Sequence, residues 1–354
     1  MLDLCQAVPG YPPHPALLER LGSEAGRRDN ARYGLINGDL ALREAYAAEL
    51  SATYRGHVSP DQVTITAGCN QAFFLAVMTL LAPGDAVLLP TPWFWNHEMS
   101  CRMLGVEPRA LPCSADTGFV PDPGAAEALL DERTRAVVLI TPNNPTGAVY
   151  PPEVIARFLD LARRRNLWLV LDETYRDFLP DGQDRAHACF ADPDWPDRLV
   201  QLYSFSKAFC IPGQRLGALT ASATLAPDFI KALDCLHICP QRPVQAAVAW
   251  AIDALRDWRA GNRAEINRRG RAMRDAIGEA PGWEVASLGA YFAYVRHPFP
   301  GVAGHDVAAR LARDRGALCL PGSAFGPEQD DFLRIAFANA DLQGIAALPA
   351  RLAL

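Results

Sequence analysis

The sequence lacks the features that mark several classes of protein. It has no long run of lysine and arginine, and its formal net charge is −6, which argues against nucleic acid or a membrane surface as a partner. Two short arginine-rich stretches, residues 163–165 and 263–274, fit solvated helix faces. No apolar run reaches the roughly 18 residues of a membrane span, and no basic segment followed by an apolar one opens the sequence as in a signal peptide. These absences predict a soluble protein.

The cysteines do not form the pattern of a disulfide framework or a metal site. There are nine, an odd number, scattered from Cys5 to Cys319. Without a secretion signal, this usage predicts the reducing cytoplasm. Cys235, His237 and Cys239 lie close together, but a zinc site needs a second ligand pair at similar spacing and none follows. We therefore expect a cytoplasmic protein without a metal site.

What the sequence does contain is a series of short apolar runs separated by helical patterns. Five runs are apolar throughout, which is typical of strands buried on both faces of a sheet. They cover residues 62–66, 86–89, 136–140, 167–171 and 199–203. Helical patterns at residues 71–81 and 152–165 separate some of these runs. Strands linked by helices predict right-handed crossovers and a mostly parallel α/β sheet.

The pattern changes after about residue 245, where a smaller α+β domain is indicated. A long helical stretch is followed by short strand candidates and one more helix. These segments cover residues 244–277, 291–295, 306–314, 317–320 and 333–337. At the other end, proline and glycine predict an extended arm outside the sheet. We therefore expect an arm over residues 1–36 that joins the small domain, a large domain over 37–250 and a small domain over 251–354.

Chemically distinct residues follow the predicted strands. Ligands of open α/β sheets bind at the carboxyl ends of the strands, so the residues just after each run are the candidates for a site. They are Gly68, Cys69 and Asn70, then Phe94, Asn144, Asp172 and Tyr175, and finally Ser204, Lys207 and Arg215. Backbone amides, an aromatic ring, an amide, a carboxylate, a phenol, a hydroxyl and two cations are thus expected at one edge of the sheet.

This set matches the chemistry of a planar aromatic cofactor that carries a phosphate and a carbonyl. Backbone N–H groups at residues 68–70, just ahead of a helix, suit a phosphate, as do the Ser204 hydroxyl and the forked cation of Arg215. Asp172 is suited to keep a basic ring nitrogen protonated, and the Lys207 amine is suited to form a Schiff base with the carbonyl. Those requirements describe pyridoxal 5′-phosphate (PLP).

Motifs spread over nearly the whole chain resemble those of the class I/II aminotransferases, the aspartate aminotransferase-like family of PLP fold type I. They lie, in the family's order, at residues 33–38, 143–147, 172–175, 203–207, 321–326 and 333–337. Each motif alone is weak evidence, whereas the ordered set is specific. The resemblance implies a PLP-dependent transferase fold, with a mostly parallel sheet of the seven-stranded type in the large domain and a smaller α+β domain.

The resemblance also implies roles around the cofactor ring. Lys207 would link covalently to PLP and, once released, shuttle a proton between the substrate's α-carbon and the cofactor. Asp172 would pair with the ring nitrogen. Tyr175 and Asn144 would donate hydrogen bonds to the ring oxygen, and Phe94 would stack on the ring face. Lys207, Asp172 and Tyr175 are thus the expected catalytic residues.

The phosphate would lie against the backbone amides of Gly68, Cys69 and Asn70 and against the side chains of Ser204 and Arg215. The sequence departs from the family here, because a hydroxyl or a lysine is common where Cys69 and Asn70 stand. The departure affects the expected side-chain contacts and leaves the backbone contacts as implied.

Other positions correspond to substrate and subunit contacts in the family. Arg334 would hold the substrate's α-carboxylate through a bidentate pair, with Asn144 and Tyr11 as further substrate contacts. Tyr33 is similar to a tyrosine that reaches the phosphate in the neighbouring subunit, which implies a homodimer with shared active sites. The expected substrates are an amino acid and a 2-oxo acid, used in a ping-pong reaction.

Two alternatives share the framework. A C–S β-lyase or a cyclising enzyme would use the same lysine and aspartate. A non-catalytic PLP-binding regulator would carry a DNA-binding domain ahead of the fold, and the segment before Tyr33 is too short and too rich in proline for one.

The substrate is left open by the sequence. Arg27, Arg28, Arg32 and Arg242 are the candidates for binding a second, distal carboxylate. The aromatic residues at positions 93–95, together with Tyr11, instead favour an aromatic or bulky apolar side chain.

Overall fold

The computed structural model describes residues 1–354. Its strands are β1 Leu2–Asp3, β2 Val63–Thr66, β3 Ala86–Thr91, β4 Glu107–Pro112, β5 Thr134–Ile140, β6 Trp168–Asp172, β7 Leu199–Ser204, β8 Gly217–Thr220, β9 Glu284–Gly289, β10 Phe292–Arg296, β11 Ala317–Leu318, β12 Leu320–Pro321 and β13 Phe332–Ala336. Its helices are α1 Pro15–Ala25, α2 Leu40–Tyr54, α3 Cys69–Leu80, α4 Trp95–Met103, α5 Pro123–Ala128, α6 Pro152–Arg165, α7 Phe205–Ala208, α8 Ala226–His237, α9 Arg242–Ala254, α10 Arg256–Gly278, α11 Gly304–Arg315, α12 Leu342–Ala346 and α13 Leu348–Leu352. No helix combines the length and the apolar composition needed to cross a bilayer.

The large sheet has seven strands in the order β2-β8-β7-β6-β5-β3-β4. Neighbouring strands from β7 to β4 are parallel, and only β8 runs antiparallel to both of its neighbours. The carboxyl ends of β2, β5, β6 and β7 therefore meet at one edge. Because β8 runs the other way, its first residue, Gly217, pairs with Thr66 and Ser204 at that same edge. The predicted mostly parallel α/β fold is confirmed.

Both faces of the large sheet are buried around its central strands, which explains the apolar runs of β5 and β6. On β5, Val137 and Leu139 belong to the apolar core on one face, while Ala136 and Val138 belong to the core on the other. Helices cover each face, as expected for parallel strands joined by crossovers. The edge strand β4 and the antiparallel β8 were not predicted, since their sequences lack a long apolar run.

The chain also contains a smaller, four-stranded antiparallel sheet, in the order β12-β13-β10-β9. The α10 helix packs against it, and β1 pairs in parallel with β11 beside it. The predicted single helix over residues 244–277 is wrong in one respect, because the backbone leaves the helical conformation at Leu255 (ψ 24°) and separates α9 from α10. The domain boundaries at residues 36 and 250 remain a proposal. In the structure, α9 packs with α1 and α2, whereas α10 packs with β9 of the second sheet.

The first residues are not extended throughout, as the arm was expected to be, because α1 lies within them. The His14 ring accepts a hydrogen bond from the Ala16 amide, and Pro15 takes the first helical position, where its missing N–H costs nothing. Leu17 and Leu21, four residues apart, are buried against the large core. This helical spacing was present in the sequence, and the prolines that precede it obscured it.

Candidate active site

A cleft of about 190 Å³ opens at the edge where the carboxyl ends of the parallel strands meet. Most of the predicted site residues line it. The lining residues are Cys69, Asn70, Phe94, Ile140, Asn144, Asp172, Thr174, Tyr175, Ser204, Ser206, Lys207, Pro212 and Arg215. The sheet topology brings them together, because each follows a strand end or, for Arg215, precedes the antiparallel β8.

One end of the cleft has the properties of an anion cradle. Gly68 caps α3 with a φ of +88°, and a Cβ there would lie 2.3 Å from the Arg215 guanidinium. Glycine is thus required both by conformation and by the close approach of the cation. Arg215 donates only to the carbonyls of Ala67 and Pro212 and forms no ion pair within the chain. The buried Ser206 hydroxyl has no hydrogen-bond partner, so free donors surround the amino end of α3.

The buried carboxylate at this edge belongs to Asp172, the last residue of β6. It accepts a hydrogen bond from the Thr174 amide at 2.9 Å, and His97 Nε2 lies 3.3 Å from its other oxygen. Burial opposes ionisation, but the hydrogen bonds and charge of His97 and the contacts with Thr174 hold the pKa of Asp172 below its usual value. The group is therefore an anion available to a cationic ring nitrogen.

His97 is a neighbour of Asp172 that the sequence pattern did not indicate. It lies on α4, stacks on Phe73 with ring centroids 3.9 Å apart, and is itself buried. Its position in the sequence, three residues after Phe94, gives no helical or strand signal that would tie it to Asp172. Only the packing of α4 against α3 brings the two side chains together.

The Lys207 amine reaches the cleft from the short helix α7, which Ser204 caps. Its Nζ donates to the Ala7 carbonyl at 2.6 Å and lies 6.0 Å from the centroid of the Tyr175 ring. Burial, followed by repulsion from Arg215 and Arg334, lowers the pKa of Lys207 to about 8. A lysine with this pKa is partly neutral near neutral pH, as a nucleophile or a proton acceptor must be.

Arg334 lies on β13, outside the residues that line the cleft, and joins them through Asn144. Its Nη1 donates to Asn144 Oδ1 at 2.9 Å and its Nη2 donates to the Cys5 carbonyl. The side chain is 3% exposed, its Nε has no partner, and no acidic residue of the chain pairs with it. Burial lowers the pKa of Arg334 to about 10.

The remaining predicted residues lie farther from the cleft. Tyr11 packs edge-on against Trp258 and beneath the Arg269 guanidinium, and Tyr33 is 77% exposed. Their assigned roles in substrate and partner-subunit contacts stay predictions.

The charges of the site do not balance within the chain. Arg215 and Arg334 are cations without an acidic partner, and Lys207 adds a third positive charge when it is protonated. Asp172, the one carboxylate of the cleft, is engaged by His97. The arrangement can hold a phosphate near Arg215 and a carboxylate near Arg334, with an amine between them.

Comparisons with known proteins agree with this geometry. The model of the family described as aminotransferase class I and II matches residues 1–352. The chain is 28% identical over 329 residues to the aromatic-amino-acid aminotransferase 2 of Thermococcus litoralis, covering 92% of this chain and 84% of that protein. It is also 28% identical over 331 residues to an aspartate aminotransferase of Sulfolobus acidocaldarius, covering 88% and 81%. The structure of an aromatic aminotransferase from Pyrococcus horikoshii OT3 matches with a TM-score of 0.93 at 25% identity, covering 99% of this chain and 94% of that one.

Proposed function

Because the chain belongs to the class I and II aminotransferases and is thus a transaminase, we propose that Lys207 is the residue that binds its PLP covalently. The family is PLP-dependent. In the reaction, an L-amino acid leaves its nitrogen on the enzyme and a 2-oxo acid collects it, in two successive halves.

The groups at the cleft fit this cofactor. The amides at the start of α3, with Ser204, Ser206 and Arg215, suit the phosphate, and the Asp172 carboxylate suits a protonated ring nitrogen. Asn144 and Tyr175 supply donors for the ring oxygen, and Phe94 supplies a flat apolar surface. When bound, PLP withdraws electrons from the α-carbon of an attached amino acid and so weakens its C–H bond.

Lys207 is the proposed carrier of the proton that leaves that carbon. Its lowered pKa, about 8, leaves an appreciable neutral fraction at neutral pH. The neutral Nζ accepts the proton from the substrate's Cα, and the protonated Nζ returns it later in the reaction. Asp172 remains ionised throughout, since His97 and the Thr174 amide stabilise its charge.

The observation that carries the proposal is the uncompensated charge of Arg334. A buried cation without a counter-ion costs about 3–5 kcal/mol relative to a paired one, and every amino acid and 2-oxo acid brings a carboxylate that can pair with it. The unpartnered Nε is a free donor for that carboxylate. Asn144 fixes the plane of the guanidinium from the other side.

We further propose that the enzyme prefers aromatic or bulky apolar side chains. A substrate whose carboxylate lies on Arg334 would bring its side chain close to the aromatic rings that surround that residue. These are the rings of Trp95, Phe325 and Phe292, whose centroids lie 5.6, 5.0 and 5.0 Å from the guanidinium carbon. Of the cations considered for a distal carboxylate, Arg242 is engaged by Asp39.

A homodimer is proposed from the exposed apolar residues near the arm. Tyr33, Leu35, Leu236 and Ile238 are all exposed. The two segments that carry them are adjacent, because the Gly34 amide donates to Cys239 Sγ at 3.3 Å. A second copy of the chain would cover this surface. Size measurement in solution tests the dimer, and a monomer that is fully active would overturn it.

Covalent attachment is tested by reducing the PLP-loaded protein with borohydride and mapping the modified peptide. The chain has only two lysines, Lys207 and the exposed Lys231, so the assignment is unambiguous. The label is expected on Lys207. Lys207→Ala should abolish turnover, whereas Lys231→Ala should keep it. A label on Lys231, or a fully active Lys207→Ala variant, would overturn the proposal.

The reaction and the substrate class are tested with a panel of amino donors against pyruvate, 2-oxoglutarate and oxaloacetate. Transfer of nitrogen is expected, with a higher kcat/KM for phenylalanine than for aspartate. Trp95→Ala should lose more activity on phenylalanine than on alanine. Release of ammonia and pyruvate from cysteine, without transfer, would contradict transamination, and a preference for aspartate would contradict the aromatic assignment alone.

A further inference from the structure

Glu173, the residue directly after Asp172, lies in a closed apolar region on the other side of the strand end. It is fully buried, together with His187 and Tyr54. The region is walled by Phe190 and Trp195, whose rings lie 4.7 Å apart. A carboxylate in such a place is unusual, because acidic side chains are almost never fully buried unless they are paired.

The contacts of Glu173 come from two distant parts of the chain. The Tyr54 hydroxyl, at the end of α2, donates to Glu173 Oε1. His187 Nε2 lies 3.3 Å from the same oxygen, within reach of a charge interaction, and the Cys189 amide donates to His187 Nδ1. Neither His187 Nε2 nor the second carboxylate oxygen, Glu173 Oε2, has a hydrogen-bond partner. The His187 and Tyr54 rings stack with centroids 4.3 Å apart and an angle of 10°. The Tyr54 and His187 contacts therefore hold one oxygen of the carboxylate, Oε1, from two sides.

The same short loop carries two further buried anchors. Arg176 lies over the Tyr203 ring, 4.1 Å from its centroid, and Asp177 accepts from the Tyr203 hydroxyl at 2.6 Å and from Arg259 at 3.1 Å. In the loop over residues 172–177, Asp172 and Tyr175 therefore line the cleft. The charged side chains of Glu173, Arg176 and Asp177 instead contact residues on the opposite side of the loop.

We propose that Glu173, held by His187 and Tyr54, is a positioning residue that fixes this loop and so places the Asp172 carboxylate and the Tyr175 phenol for the cofactor. The inference rests on the proposed function of Lys207 and Asp172. The physical reason is adjacency. Asp172 and Glu173 share a peptide unit, so a backbone rotation that lets the Glu173 carboxylate move also changes the direction of the Asp172 side chain. Misplacement by about 1 Å is enough to cost a catalytic group about 100-fold.

The test uses Glu173→Gln, which keeps the size of the side chain and removes its charge. Cofactor-free protein is titrated with PLP and followed by absorbance. We expect the dissociation constant for PLP to rise about tenfold or more, as for other supporting hydrogen-bond partners, and the absorbance of the bound cofactor to titrate at a different pH. Tyr54→Phe keeps the stacked ring and removes only the hydroxyl, so a smaller change in the same direction is expected.

Glu24→Gln is the matched control. Glu24 is also a buried carboxylate, held by the Asn30 amide on the α1 side of the chain. This variant should lower the unfolding midpoint and leave PLP affinity and spectrum unchanged. If Glu173→Gln behaves in the same way, with only its stability altered, the positioning role is overturned while the proposed function stands. If the wild-type chain itself fails to bind PLP, the proposed function falls and this inference falls with it.

Discussion

Asp172 and Glu173 are adjacent acids with the same kind of partner and different surroundings. Each is buried, and each has a histidine Nε2 at 3.3 Å, His97 for the first and His187 for the second. The first opens onto a cleft that also contains Lys207, whereas the second is enclosed on all sides. The difference teaches that a buried acid–histidine pair is not in itself a catalytic signature. Whether the carboxylate faces an open cleft or a closed interior decides whether a ligand can reach it.

Both acids are kept ionised against the effect of burial. Desolvation favours the protonated form, yet the contacts of Asp172 with His97 and those of Glu173 with His187 and Arg176 hold both pKa values below the usual range. The chain therefore keeps two negative charges side by side in its interior. Only Asp172 faces a place where a cationic ligand can use that charge.

The largest effect is expected from Asp172→Ala. Loss of the carboxylate removes the proposed partner of the cofactor's ring nitrogen, and electrostatic groups of this kind contribute about 10²–10³-fold to a rate. We expect the first half-reaction to slow by about that factor, measured by stopped-flow absorbance. Glu173→Gln should slow it by a smaller factor. Equal losses in the two variants would contradict the division between a catalytic acid and a positioning acid.

Replacing each histidine by asparagine tests the same comparison between the two acids. His97→Asn should reduce kcat/KM about 10–100-fold, as the loss of a supporting partner does elsewhere, with a modest loss of stability. His187→Asn should instead destabilise the cofactor-free chain by about 3–5 kcal/mol, because it removes the charge partner of a fully enclosed carboxylate and leaves it with the Tyr54 hydroxyl. Denaturant unfolding and steady-state kinetics on both variants provide the measurements. A catalytic defect confined to His187→Asn would reverse the assignment.

The smallest effect is expected in acid unfolding. The pKa values of both acids are lower in the folded chain than their ordinary values, so the unfolded chain binds more protons in that range. Stability is therefore present above the ordinary carboxyl pKa, near 4, and is lost as the pH falls through the folded values. Asp172→Asn and Glu173→Gln should each flatten this dependence, measured by denaturant unfolding from about pH 6 to about pH 3. An unchanged slope in either variant would show that its carboxyl is not held ionised.

The sequence was sufficient to predict the strands that carry the site, because strands buried on both faces leave continuous apolar runs. The residues directly after those runs, such as Asp172 and Lys207, were identified by the same rule. His97 and Glu173 were not given roles, since nothing local distinguishes an enclosed carboxylate from one that lines a cleft. His97 lies against Asp172, and Glu173 lies against His187. Both contacts depend on packing between elements far apart in the chain.

The arm illustrates a second limit. Backbone carbonyls of Cys5 and Ala7 bond Arg334 and Lys207, and a carbonyl is present at every residue, so no side-chain pattern reveals which ones take part. The helix α1 was missed for a different reason, because the prolines ahead of Leu17 and Leu21 suggested irregular backbone. The carbonyl contacts of the arm cannot be predicted from a side-chain pattern, whereas the spacing of Leu17 and Leu21 was sufficient to predict α1.

The antiparallel strand β8 has a consequence for how the protein is made. Gly68 meets Arg215 only because β2, near the start of the large sheet, pairs with β8, with Val63 opposite Thr220. During synthesis the amino-terminal half emerges first, and pairing of such distant segments is slow. The anion cradle is therefore completed late, after residues beyond 220 have left the ribosome. Cofactor capture should accordingly follow translation of the large sheet, so that the proposed cofactor, PLP, would bind only after β8 has paired with β2.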